Sequence, residues 1–211
     1  MTLKQVFIPS IGSEQEAEVQ NILMKTYSFD SFIDFTDDDG KVIVWGSCNF
    51  VIDNQNLQIN VVDRFIPVFV ETWNFSWDEM IVVHNYAQRW GDERGQYGVK
   101  FPEQLESIIA REHQEFFGTI TNPTVLKRAV FYWYELATHQ AFHNGNKRTA
   151  FLAMLLYIEM NGYSFNIDNV SENELYEYTV KIANKKFSMD KIYDLLLENI
   201  TVRIKEIKEV E

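Results

Sequence analysis

Hydrophobic and polar positions change their spacing near Thr72, and this change divides the chain into two regions. Before Thr72, short runs rich in valine, isoleucine and aromatic residues alternate with turn-like polar segments, a pattern typical of β-strands. Strands are expected at 41–45, 50–53, 57–63 and 65–70, with turns at 37–40 and 53–56. A helix is expected from Ser13 to about Tyr27, opened by a capping box of Ser13 and Glu16.

This first pattern predicts a small β-rich domain over residues 1–71, an antiparallel sheet with one helix against it. The alternative is that these residues extend the second region and contribute a β flap to it.

After Thr72, apolar residues recur every three or four positions, which is the spacing of buried helix faces. Six helical segments are expected: from Ser76 to about Trp90, from Pro102 to Arg111, from Pro123 to Gln140, across Phe151–Met160, from Ser171 to about Asn184, and from Ser188 as far as Val210. The glycine-bearing stretch Gly91–Phe101 predicts a loop or flap, and the alternating charges of Arg203–Glu211 indicate a solvated helix face. We therefore predict an α+β fold in which a mostly helical domain, residues 72–211, follows the β-rich one.

Composition restricts the function classes. With 46% hydrophobic and 15% aromatic residues, the chain is expected to form a folded core. Its formal net charge of −12 argues against nonspecific binding to nucleic acid or to an anionic membrane, both of which would repel it. The one cysteine, Cys48, allows no internal disulfide, and no apolar stretch is long enough to span a bilayer. We therefore expect a cytoplasmic protein.

The clearest indication of chemistry is the loop between two strongly apolar helical patterns, His139-Gln-Ala-Phe-His-Asn-Gly-Asn-Lys-Arg-Thr-Ala150. Lys147 and Arg148 stand in the first turn of the following helix, where unpaired N–H groups and the helix dipole disfavour cations. A bound phosphate would remove this conflict, and Gly145 would let the backbone approach it. We therefore expect a polyphosphate site at this helix start. The alternative is that both cations face solvent or pair with acidic residues.

His139 and His143 also have the four-residue spacing of a helical zinc pair. The glutamate of the metalloprotease pattern is absent, however, and Gly145 follows too soon for a helix to continue past both histidines. We therefore rank a zinc site below the phosphate site. His84 and His113 stand in or near helical patterns without a cluster of ligands, and we interpret both as structural.

The same loop resembles the signature of the Fic/Doc (filamentation and death-on-curing) proteins, in which a histidine, a phenylalanine and an acid precede glycine, asparagine, glycine or lysine, and arginine. Phe142, Gly145, Asn146, Lys147 and Arg148 match that signature, and the lysine is typical of the Doc branch. The resemblance extends from Trp77 to about Ile200 and includes the segments His84–Gly91, Gly98–Ile109 and Asn161–Tyr163.

Two positions depart from the signature. Gln140 stands where the family has its general base, a histidine, and an amide cannot take a proton from a hydroxyl near neutral pH. Asn144 stands where the family has its metal-binding acid, so it offers Mg²⁺ only a neutral oxygen. His143 or His139 would then have to supply the base. His143 has the better position, because His139 points about 100° away from Gln140 if that segment is helical.

The resemblance implies a transferase that moves a phosphoryl or AMP group from ATP to a hydroxyl of a target protein. Phe142, Gly145, Asn146, Lys147 and Arg148 would bind the nucleotide, and the two cations would also neutralise charge that develops during transfer. In Doc relatives the γ-phosphate goes to a translation factor in a toxin–antitoxin system, which makes a separate antitoxin protein a second expected partner.

The resemblance also implies a docking role for the flap, whose residues Gly98, Val99, Lys100 and Phe101 would hold the target segment by strand addition. The alternative function is a catalytically impaired Fic/Doc fold that binds a nucleotide or a protein without turnover.

Overall fold

The computed structural model describes residues 3–36, 43–53, 56–90 and 95–207. The turn expected at 37–40, residues 54–55 of the next turn, and the start of the expected flap at Gly91 lie outside these residues. In chain order the elements are β1 Leu3–Pro9, α1 Ser13–Tyr27, β2 Ser31–Thr36, β3 Ile43–Asp53, β4 Asn56–Val70, α2 Trp77–Gln88, α3 Pro102–Arg111, β5 Glu115–Phe116, β6 Thr119–Ile120, α4 Val125–Thr138, α5 Asn146–Met160, β7 Tyr163–Phe165, α6 Glu172–Ala183, α7 Met189–Glu198, β8 Ile200–Val202 and β9 Ile204–Ile207.

The predicted α+β class is confirmed by this mixture of helices and strands. The chain forms two compact units. The first takes Met1–Thr72, Gly162–Ser164 and Thr201–Glu211, and the second takes Trp73–Asn161 and Phe165–Ile200. None of the described helices is both long and apolar enough to cross a membrane.

The first unit is built on a five-stranded sheet in the order β2-β3-β4-β1-β9. Strand β1 runs parallel to β4, and the other pairs are antiparallel. The expectation of a wholly antiparallel sheet was therefore wrong, because the chain passes through α1 and the β2–β3 pair before β4 returns beside β1. Buried side chains of α1 and of the sheet form the core, among them Val6, Ile8, Val19, Ile22, Leu23, Trp45, Cys48 and Phe65.

Two expectations about the ends of elements were also wrong. Helix α1 spans the predicted residues, but Gly12 precedes it as the N-cap and no side-chain cap bond forms, so Ser13 does not cap it. The last helix ends at Glu198 instead of continuing to Val210, and the residues after it form β8 and β9. Ile200, Val202 and Ile204 alternate with polar residues, and this period of two is a strand signal that the alternating charges obscured.

The second unit places α4 and α5 against each other, with α2 packed on α5 and with α6 and α7 packed on α4. Helix α4 is buried on almost every side, and the indole of Trp133 donates a hydrogen bond of 3.2 Å to the Thr179 hydroxyl on α6. Helices α2 and α6 begin at the expected serines, where capping boxes form between Ser76 and Glu79 and between Ser171 and Glu174. These helices hold the two ends of the loop that connects α4 to α5.

A buried charged network joins three helices of the second unit. Glu112, directly after α3, is fully buried; its carboxylate accepts a 2.8 Å hydrogen bond from the Tyr157 hydroxyl and lies 3.0 Å from Nη1 of Arg128. Arg128 also donates from Nε to the Asn122 carbonyl at 2.9 Å. Burial, and then the charge of Glu112, raise the pKa of Tyr157 well above its ordinary value, so its hydroxyl stays protonated and remains a donor.

We predict that Glu112→Leu lowers the free energy of unfolding by about 3–5 kcal/mol, because it leaves the Arg128 charge buried without its partner. The double variant Glu112→Leu/Arg128→Met removes both charges and is expected to recover part of that loss. Denaturant unfolding of the wild type, of Glu112→Leu, of Arg128→Met and of the double variant measures the effect. Equal losses in the single and the double variant would contradict a role for the charge pair.

Candidate functional site

The loop from His139 to Gly145 connects α4 to α5 and takes its shape from its last residue. Gly145 has φ 74°, in the left-handed region, and α5 begins at the next residue. A Cβ at this position would meet Gln88 Cγ at 3.5 Å and His84 Cε1 at 3.7 Å, both ordinary contacts. Conformation, rather than space, therefore requires glycine at the point where the chain enters α5.

The side chain of Asn146 fastens the loop from within. Its Nδ2 donates to the Phe142 carbonyl at 2.8 Å, and its Oδ1 accepts from the Phe142 N–H at 2.9 Å. Both ends of the amide are therefore bonded to the loop backbone. The expected amide contact between Asn146 and a phosphate would compete with these bonds, so the backbone N–H groups of this turn are the better donors to a ligand.

His84 of α2 packs against the loop and against the first turns of α5. Its ring stacks on that of Phe142, with centroids 3.8 Å apart and planes 13° from parallel, and its Nδ1 lies 2.9 Å from the Thr149 hydroxyl. Gln88 contacts the other ring nitrogen. Burial, and then the positive charge of Arg148, lower the pKa of His84 to about 4. The ring is therefore neutral at pH 7, and it adds no positive charge near Lys147 and Arg148.

The flap residues Gly98 to Phe101 lie along the loop and bond to its backbone. Val99 forms an antiparallel bridge with Phe142, and the N–H groups of Lys100 and Phe101 both donate to the Ala141 carbonyl, at 2.8 and 3.1 Å. The His143 N–H in turn donates to the Gly98 carbonyl at 3.0 Å. The backbone groups along one edge of the flap are therefore bonded to the loop, so a target strand would have to pair with the other edge.

A cavity of about 850 Å³ opens in front of the start of α5. It is lined by the first turn of α5, the loop before it and the facing side of α6: Trp90, Ala137, Gln140, His143, Asn144, Gly145, Asn146, Lys147, Arg148, Phe151, Leu155, Ile167, Glu172, Leu175, Tyr176, Thr179, Ala183 and Asn184. The first turn of α5 contains no acidic residue. The N–H groups at this helix start, the helix dipole and two cationic side chains therefore act together on the cavity, an arrangement suited to an anion. Its volume is within the range of small-molecule sites.

Most of the residues expected at the site meet at this cavity. Gln140, His143, Asn144, Gly145, Asn146, Lys147 and Arg148 line it, whereas Phe142 is buried behind them against His84. His139 does not line it: its Nδ1 lies 3.5 Å from Glu135 Oε2 and 3.2 Å from the Glu135 carbonyl. The flap residues Gly98, Val99, Lys100 and Phe101 also lie outside the lining.

The two positions that depart from the sequence signature have different surroundings. Gln140 lines the cavity just after the end of α4. Asn144 donates from Nδ2 to the Gln96 carbonyl at 2.8 Å, so its amide holds the loop to residue 96 of the stretch expected as a flap. Among residues 3–36, 43–53, 56–90 and 95–207, no group of three or more His, Cys, Asp or Glu residues is arranged to hold a metal ion.

Several cavity residues were missed at the level of sequence. Glu172 and Tyr176 come from α6, and the Tyr176 ring centroid lies 6.0 Å from Lys147 Nζ. Trp90 lies shortly after the end of α2. None of the three belongs to the loop motif, and only the packing of the helices brings them to the cavity.

Residues 74–158 match the model of the Fic/DOC family. The match is confined to the second unit and includes α2, the flap, α4, the loop and most of α5. It covers less than half of the chain. No protein of curated function matches the chain.

We predict that His84 makes folding sensitive to acid. Its pKa is about 4 in the folded protein and about 6.5 in the unfolded chain, so between these values the unfolded chain binds more protons and the fold loses up to about 3 kcal/mol as the pH falls. His84→Gln lacks this contribution. Although less stable than the wild type at pH 7, it should approach the wild type as the pH falls from about 6.5 to about 4. Chemical denaturation at a series of pH values measures the difference, and a constant difference would contradict the prediction.

Proposed function

We propose that the cavity at the start of α5 binds ATP through its phosphates and that the second unit transfers a group from ATP to a hydroxyl of a target protein. The observation that carries this proposal is the position of Lys147 and Arg148 in the first turn of α5, beside the helix N–H groups and facing an 850 Å³ cavity. The match of residues 74–158 to the Fic/DOC family supports the reaction class. In such a reaction, positioning and charge neutralisation supply most of the catalysis.

We assign the general base to His143. It lines the cavity, its backbone N–H is held by Gly98, and its side chain is exposed to an incoming hydroxyl. The imidazole would take the hydroxyl proton as the new oxygen–phosphorus bond forms and the bond to the departing phosphate breaks. Lys147 and Arg148 would neutralise the negative charge that moves onto the departing group. His139 is the weaker candidate, because its ring faces Glu135.

The described residues of the cavity lining do not provide a built Mg²⁺ site. Among them Glu172 is the one carboxylate side chain, and Asn144, whose amide nitrogen is bonded to Gln96, offers only a neutral amide oxygen. Magnesium at phosphate sites is ordinarily held by one or two carboxylates together with the phosphates. Charge neutralisation is therefore assigned to Lys147 and Arg148.

The group transferred, the target and the setting belong to the same proposal. Lys147, which is typical of the Doc branch, favours transfer of the γ-phosphate over transfer of AMP. By the same resemblance, the target would be a protein such as a translation factor, and an antitoxin chain would restrain the activity. The flap residues 98–101 would dock the target through the edge that does not pair with the loop.

A second function is favoured by one specific observation. Gln140 lines the cavity at the position of the family's base, and its amide cannot accept a proton near neutral pH. If His143 does not replace that base, the unit binds nucleotide or a partner without efficient turnover. The two functions share the phosphate site and differ only in proton transfer, so separate experiments on binding and on turnover distinguish them.

We predict that Arg148→Ala weakens ATP binding roughly ten- to hundred-fold, the loss expected for one charge-assisted hydrogen bond to phosphate. The matched control is Lys191→Ala, which removes the same charge from α7, outside the cavity lining. Isothermal titration calorimetry with ATP measures both variants. Equal affinity in the two would remove the phosphate site from the proposal.

We predict that the wild-type protein labels a protein band when incubated with γ-labelled ATP and a cell lysate. His143→Ala should reduce the rate about 10²–10⁴-fold through loss of the base, whereas His139→Ala should retain most of it. Gln140→His should raise the rate by supplying an imidazole at the family's position. Label from α-labelled ATP would indicate AMP transfer instead. If no label appears with the wild type while ATP still binds, the second function is the correct one.

A further inference from the structure

The two cations at the start of α5 extend toward different neighbours. Lys147 and Arg148 are consecutive helix residues, so their side chains leave the helix about 100° apart. Nζ of Lys147 lies 6.0 Å from the centroid of the Tyr176 ring on α6. Nη2 of Arg148 lies 3.8 Å from the position that a Cβ of Gly145 would take, and Gln88 of α2 lies 3.5 Å from that position. One charge is therefore beside α6, and the other is beside the loop and α2.

Tyr176 lies at the cavity but contributes little to the packing of α6. Its neighbours Leu175 and Thr179 are each only 4% exposed, and the Thr179 hydroxyl accepts a hydrogen bond from the indole of Trp133 on α4. Tyr176 is 63% exposed. The inward contacts of the helix are thus made by other residues, and the ring of Tyr176 is placed where it can act on Lys147.

Two groups on α6 attract a positive charge to this side of the cavity. A cation within about 6 Å of an aromatic ring is attracted to the negative face of that ring, and Lys147 lies at that distance from Tyr176. Glu172 lines the cavity one turn earlier on the same face of α6, and its carboxylate favours a cation there as well. The dipole of α5 acts in the same direction, because it disfavours a cation close to the helix start.

We propose that Tyr176 is a positioning residue that holds Lys147 on the α6 side of the cavity, so that Lys147 and Arg148 bind two different phosphate groups. This role rests on the proposed function, because it requires the phosphates of a nucleotide in the cavity. The ligand class is then a nucleoside diphosphate or triphosphate. A monophosphate engages Arg148 and the helix N–H groups but leaves Lys147 unused, so Tyr176 contributes to the selection of ATP over AMP.

Isothermal titration calorimetry of the full chain with ATP and with AMP tests this role. Lys147→Ala should weaken ATP binding about ten- to hundred-fold, the loss of one charge-assisted hydrogen bond, and leave the affinity for AMP unchanged. Tyr176→Leu should weaken ATP binding about two- to fivefold, the contribution of an exposed cation–π contact, and also leave AMP unchanged. Tyr176→Phe keeps an aromatic ring and should bind ATP as the wild type does.

Two further proteins separate positioning from a general effect of losing a tyrosine. In a Lys147→Ala background, Tyr176→Leu should cause no further loss of ATP affinity, because the cation that the ring holds is absent. Tyr27→Leu is the matched control. Tyr27 is also exposed and its ring centroid lies 4.9 Å from Nζ of a lysine, Lys4, but both residues belong to the first unit. Its ATP affinity should equal that of the wild type.

Circular dichroism and thermal unfolding confirm that each variant keeps the fold before it is titrated. Equal ATP affinity in Tyr176→Leu and the wild type, with binding weakened in Arg148→Ala, would overturn the role of Tyr176 and leave the proposed function in place. An equal loss of ATP and AMP binding in Lys147→Ala would also overturn it, because both cations would then bind the same phosphate. A wild-type protein that binds no ATP would overturn this role and the proposed function together.

Discussion

The function proposed for the second unit depends on two positive side chains at the positive end of a helix. Lys147 and Arg148 occupy the first turn of α5, and no acid in that turn offsets them. The loop in front of them is held by uncharged contacts: the left-handed Gly145, the amide of Asn146 on both backbone groups of Phe142, and the neutral ring of His84 stacked on Phe142. These contacts fix the helix start without adding a charge to it. In the proposed function, a bound phosphate would balance the charges of Lys147 and Arg148.

The parts of this site that sequence predicted are the local ones. Gly145, the start of α5 and the cations of its first turn follow from helix-capping rules that operate over a few residues. His84 is different, since it supports Phe142 and Thr149 from a helix about 60 residues earlier in the chain. Glu172 and Tyr176 reach the cavity only because α6 packs on α4. Tertiary contacts of this kind leave no periodic or motif signal, so a single sequence identifies the centre of the site and not its surroundings.

The sheet of the first unit shows the same division between local and long-range information. Runs of β-branched residues predicted strands over much of β3 and β4, but these runs carry no information about pairing partners. The parallel pairing of β1 with β4 and the addition of β9 depend on residues far apart in the chain. In the tail, charges at helical spacing predict a helix, whereas the alternation of Ile200, Val202 and Ile204 indicates a strand, and the structure has strands there.

The position of β9 has a consequence for biosynthesis. Leu3 of β1 lies opposite Ile207 of β9, and the whole helical unit is encoded between these two strands. While the ribosome translates the helices, one edge of β1 has no partner, because the strand that closes it has not been made. Closing so long a loop is also a slow, non-local step. Strand β1 therefore leaves the ribosome before the helical unit but completes its hydrogen bonding after it, and a nascent chain that stops before β9 exposes an unprotected strand edge.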